Sequence, residues 1–138
     1  MESTENTGFV QVVIQTIGTL HPGAIDLIGD GLFYDLSDKL RNPHEDPAMR
    51  HKTGLDREVY QHVINTPGAD PLINRIVTET QALIAQRSEN LQLTHVTIAC
   101  RGGRHRSVAI AEIAAQYLRA EGAGVEIEHR HIEQPVVQ

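Results

Sequence analysis

The stretch from Thr97 to Ala111, TIACRGGRHRSVAIA, is the feature that most constrains the fold. Val96, Ile98 and Ala99 suit a buried strand over Leu93–Cys100, two adjacent glycines follow, and helical spacing then takes over. The spacing predicts a helix over Ser107–Ala120, with Ile110, Ala114, Tyr117 and Leu118 on one face and Gly122 ending it. A strand that feeds a helix through a glycine turn is a building unit of parallel sheets, and it places the turn at the sheet's carboxyl edge.

The flanking sequence supplies the other elements. Phe9–Gln15, FVQVVIQ, reads as a buried strand and Leu32–Leu36 as a second one. Ser37–Lys52 keeps no period and contains Asn42-Pro43 and Asp46-Pro47, so a long ordered loop is expected. Thr53-Gly-Leu-Asp56 has helix-start spacing, which predicts a helix from Leu55 to Asn65. Asp70 as N-cap and Pro71 as first helical residue predict another, whose apolar face is Leu72, Ile73, Ile76, Val77, Thr80, Leu83 and Ile84. Val125–Arg130 alternates as a last strand. The order strand, strand, helix, helix, strand, helix, strand argues for an α/β sandwich, a mainly parallel sheet flanked by helices. One domain is expected over residues 9–133, with a flexible N-terminal tail 1–8 and a C-terminal tail 134–138.

Composition removes several function classes. Hydrophobic residues are 40% and charged residues 22%, in runs too short for a membrane span. MESTENTGF has neither the basic nor the apolar region of a secretory signal, and Cys100 is the single cysteine, so a cytoplasmic chain without disulfides is expected. Twelve Lys and Arg against eighteen Asp and Glu give a net charge of −6, and aromatics are 4% with no Trp, a poor surface for nucleic acid. No G-x-x-x-x-G-K-[ST] occurs, so P-loop hydrolysis is not expected of this chain. Neither cofactor nor metal is expected. His129 and His131 form an H-x-H pair, but no third ligand accompanies them.

No acidic residue stands between Glu89 and Glu112, and Arg101, Arg104, His105 and Arg106 fall in that gap. A helix N-terminus exposes unpaired amides, Gly102 and Gly103 let the backbone curl around one anion, and arginines match phosphate oxygens. Arg101 through Ser107 is therefore the candidate phosphate-binding segment. Cys100 and Arg106-Ser107 also fit the C-x5-R-S spacing of cysteine-dependent phosphatases, with Cys100 as nucleophile and Asp46 or Asp56 as general acid. Ala99 stands where those enzymes carry His. His21, Asn42, Arg50, Lys52 and Thr53 are candidates for contacts beyond the phosphate.

Three blocks then resemble the C-terminal domain of the RNase adapter RapZ and its nucleotide-binding relatives. They are Asp35 through Asn42–Pro47, Thr53–Asp56 with Val59, and Cys100–Glu112, the last similar to the family's C-T-G-G-x-H-R-S-V-x-I-A-E; His129-Arg130-His131 is similar to its R-H-R ending. The resemblance covers Val10 to Glu133. It implies a fold similar to a sugar-phosphate-binding subdomain of phosphofructokinase, a site for an amino-sugar phosphate such as glucosamine-6-phosphate, and small-RNA binding within a homo-oligomer. It assigns the phosphate site to Gly102, Gly103, His105, Arg106 and Ser107, with His21 carried over from the first turn. The family's P-loop domain would be a separate partner, Arg101 replaces the family's Thr, and Glu133–Gln138 replaces its basic ending.

Overall fold

In the strand Thr94–Cys100 only the His95 side chain is exposed, the burial expected of a strand with neighbours on both edges. The computed structural model describes residues 9–40 and 42–135. In chain order the elements are β1 (Val12–Gly18), β2 (Leu32–Asp35), α1 (Arg57–Ile64), α2 (Ala69–Ser88), β3 (Thr94–Cys100), α3 (Arg106–Ala120) and β4 (Val125–His129). The sheet runs β2-β3-β1-β4 with every pairing parallel, Ile14 beside Val96 and Ile127, and Tyr34 beside Ile98. The expected α/β domain is present, as a four-stranded, all-parallel sheet with three helices.

Side-chain parity decides where the helices lie. Val12, Ile14, Tyr34, Val96, Ile98 and Val125 share one core with Val59 and Val63 of α1, Ile73 and Ile76 of α2 and Ile110 of α3. All three helices therefore cover the same sheet face. Ala109, Ala111, Ala114 and Ala115 are fully buried, and these small side chains let α3 lie close over β1, β3 and β4. On the opposite face a single 3-10 turn, Ala24–Leu27, covers Ile17 and Ala99 at the carboxyl end. Gln15 ties that turn down, its Nε2 donating to Leu27 O at 2.6 Å and to Thr97 Oγ1 at 2.8 Å.

Boundaries differ from expectation by more than one residue at three places. The first strand is Val12–Gly18, because pairing with β3 runs on to Cys100 and carries the strand past Gln15. The first helix begins at Arg57: Thr53 N–H donates to Asp56 Oδ2 and Leu55 N–H to Thr53 Oγ1, making a closed turn ahead of it. The second helix is capped by Gly68 at φ 93°, so Asp70 and Pro71 occupy its second and third positions. The expected tail 1–8 lies outside the described residues, as do 136–138 of the other.

Candidate functional site

Parallel pairing brings the carboxyl ends of β1, β3 and β4 to one edge, where the 101–105 loop joins β3 to α3. The loop is locked by its carbonyls. Thr19 N–H donates to Cys100 O (2.9 Å), Leu20 N–H to Arg101 O (3.0 Å), Gly54 N–H to Arg104 O (2.7 Å) and Ala109 N–H to His105 O (3.0 Å). His21 Nε2 donates to Gly102 O at 3.0 Å. The amides behave oppositely. From Arg101 through Arg106 none donates to a carbonyl of the described residues, and Ser107 N–H meets only Cys100 Sγ at 3.5 Å. Gly103, His105 and Arg106 are buried residues. All the loop's carbonyls but that of Gly103 thus accept from the protein while its amides meet no acceptor among the described residues, next to the positive end of a 15-residue helix without a side-chain cap.

Backbone packing fixes this curl. Gly103 has φ 72°, and a Cβ there would lie 2.6 Å from Gly18 N. A Cβ on Gly54 would lie 2.6 Å from His105 O, so the turn before α1 closes against the start of α3. Nothing stands within 4 Å of a Cβ on Gly102, which faces open space.

The arginines do something the sequence did not indicate. Arg106 is 3% exposed, and its Nη1 donates to the carbonyls of Leu36, Ser37 and Lys39 at 2.9–3.1 Å. Arg104 Nη1 donates to Ile132 O and Gln134 O, its Nη2 to His51 O at 2.7 Å. Both guanidinium groups brace neighbouring segments. Arg101 is half exposed and pairs loosely with Asp38 at 3.7 Å. His105 is 5% exposed with Nε2 against Arg50 O at 3.1 Å, and burial, aided by the charge of Arg104, pulls it down to about 4. It is neutral at pH 7 and holds the long loop.

The remaining candidates divide. His21 stands at the loop, while Asn42 Oδ1 accepts from His44 N–H, Arg50 Nε donates to His44 O, and Thr53 belongs to the turn before α1. Lys52 pairs with Glu58. Asp46 accepts from Ala48 N–H and Asp56 from Thr53 N–H, so both carboxylates serve turns. Cys100 is 2% exposed with Sγ 3.2 Å from Ser107 Oγ. His129 and His131 have different partners. His129 bonds Thr16 and Glu112, whereas His131 accepts from Gly18 N–H at 2.8 Å and stacks on His21 with ring centroids 4.4 Å apart. That stack was not legible; its only signal is the H-x-H at the end of the last strand, a spacing that resembles a metal pair. Among the described residues no cluster of three or more His, Cys, Asp or Glu is arranged for a metal, and no helix is long and apolar enough to cross a membrane.

Fold and site define a small α/β domain whose donor-rich loop leads from a central parallel strand into its main core helix. Residues 10–133 match the family model described as the RapZ C-terminal domain, and the chain belongs to that family. It is 36% identical over 132 residues to a nucleotide-binding protein of Leifsonia xyli subsp. xyli, covering 93% of this chain and 43% of that one. A nucleotide-binding protein of Paramagnetospirillum magneticum is 35% identical over 114 residues (82% and 35%), and one of Streptomyces coelicolor 39% over 110 (79% and 35%). The chain thus spans 35–43% of the length of these curated relatives.

Proposed function

We propose that this domain is a non-catalytic sensor or adapter that binds a phosphorylated small molecule, with the main-chain amides of Arg101–Arg106 as the anion cradle. The observation that carries the reading is the asymmetry of the loop: five carbonyls from Cys100 to His105 accept from the protein while six consecutive amides donate to no described carbonyl. A tetrahedral oxyanion is the ligand that relieves several such donors together. Family membership supports an amino-sugar phosphate such as glucosamine-6-phosphate, and the relatives' names support a nucleotide, whose phosphates suit the same cradle. In either case occupancy would be relayed to a partner, RNA or protein, in an oligomer.

The test is a thermal melt with phosphate, glucosamine-6-phosphate, a nucleoside monophosphate and unphosphorylated glucosamine. At 100 times Kd a ligand adds about 2.7 kcal/mol, a shift of several degrees for this size. Phosphorylated ligands are expected to stabilise and glucosamine is not. Gly102→Asp puts a carboxylate into the open space at the loop and is expected to abolish the shift. Arg106→Ala is unsuited to this purpose, because Arg106 holds three carbonyls. Equal melts with and without millimolar phosphorylated ligand would refute the proposal.

A cysteine phosphatase is the second reading, favoured by the contact between Cys100 Sγ and Ser107 Oγ. Burial of Cys100 weighs against it, whereas Arg106 commits Nη1 to loop carbonyls and leaves its buried Nε without a partner among the described residues. Turnover of an aryl phosphate that vanishes in Cys100→Ser would establish it.

A further inference from the structure

We propose that β2 is the interaction edge of the sheet and pairs with β2 of a second copy of this chain, antiparallel about a two-fold axis at Phe33. The pairing joins two four-stranded sheets into one and is independent of the anion-site reading.

The sheet ends in β2 on one side and β4 on the other, and the two edges are treated differently. On β4 the outward carbonyl of Val125 accepts from Arg119 Nη2 at 2.8 Å, and Glu126 and Glu128 are exposed beside it, which blunts that edge. On β2, Leu36 N–H donates to Ala99 O and Tyr34 lies beside Ile98. Leu32, Tyr34 and Leu36 therefore turn their backbone groups to β3, while Phe33 and Asp35 turn theirs outward. Among the described residues no turn, loop or side chain bonds those outward groups. The strand is also self-complementary. With the axis at Phe33, this residue exchanges both backbone bonds with the partner's Phe33, and the two exposed rings meet on the face away from the helices. Leu32 falls opposite the partner's Tyr34 on the helix-covered face, and Asp35 opposite the partner's Gly31, so no like charges are paired. The charges above the strand fit as well. Arg75 lies over the Tyr34 ring and Glu79 accepts from the Tyr34 hydroxyl, so α2 holds one exposed cation and one exposed anion over β2. The axis reverses their order, setting Arg75 toward the partner's Glu79 and Glu79 toward the partner's Arg75.

Sedimentation equilibrium of the full chain, from micromolar to millimolar, is expected to show a monomer–dimer equilibrium, with the Phe33 amide protected from exchange in the dimer alongside that of Tyr34. Phe33→Lys sets like charges across the axis and is expected to raise the dimer dissociation constant about tenfold or more, exposing the amide of residue 33 while that of Tyr34 stays protected. Arg75→Glu is expected to weaken the dimer too, and Arg75→Glu combined with Glu79→Arg to restore it. Should Phe33→Lys cost the Tyr34 amide its protection, the charge exchange decides: restoration supports the pairing and its absence overturns it. A chain that stays monomeric at every concentration overturns the inference. A dimer in which the Phe33 amide exchanges freely, or one that both single substitutions leave unchanged, is held by another surface and overturns it as well.

Discussion

Gly18 and Gly102–Gly103 touch backbone to backbone, and a Cβ on Gly18 would stand 2.4 Å from Gly102 C. Gly18→Ala is therefore expected to cost about 1–3 kcal/mol in urea unfolding, as the loop must move away from β1. Gly102→Ala, with open space around its Cβ, is expected to stay within about 0.5 kcal/mol. Equal costs would contradict the packing described. His105 gives a pH prediction. Burial lowers it from the ordinary 6.5 to about 4, so above pH 6.5 it is neutral folded and unfolded alike. Below pH 6.5 the unfolded chain takes a proton that the folded chain refuses. Its contribution to stability is thus intact above pH 6.5 and is lost as pH falls toward 4, by about 3 kcal/mol in all. His105→Gln should lose this part of the slope in unfolding measured from pH 7 to 4, and an unchanged slope would contradict the assignment. The Gly102–Gly103 pair was legible in the sequence. That Gly18 receives it was not, because close approach between distant segments leaves no local pattern.

Element by element, the loop works as a junction. Arg104 joins it to the His51 carbonyl on one side and to Ile132 and Gln134 on the other, while Arg106 gathers the carbonyls of Leu36, Ser37 and Lys39. Arg104→Met keeps the aliphatic stem and removes the donors. Amide exchange over 49–54 and 132–134 is expected to rise about tenfold or more while β3 stays protected. Unchanged exchange at both segments would show that the clamp carries no weight. The sequence shows the charge of these arginines but not their acceptors, since the carbonyls they satisfy belong to irregular segments with no period. The elements themselves were legible, because Val, Ile and Leu recur with strand or helix spacing in each. Their edges moved where tertiary contacts decide: β1 lengthens to follow β3, and Gly68 rather than Asp70 caps α2.

For the whole molecule, the succession of strands and helices announced a mainly parallel α/β domain, and the structure is all-parallel. Neither the order β2-β3-β1-β4 nor the gathering of all three helices on one face was legible. Both depend on which strands pair, and buried strands of similar composition do not encode their neighbours. That topology sets the 101–106 loop at the carboxyl edge beside the end of β1, with most of its carbonyls bonded and its amides without acceptors among the described residues. The claim that these amides bind an oxyanion is tested most directly by an amide-resolved NMR titration with sulfate. The account predicts that the Gly102–Arg106 amide signals move together and saturate at one dissociation constant, whereas a saturating titration that leaves them in place would contradict it.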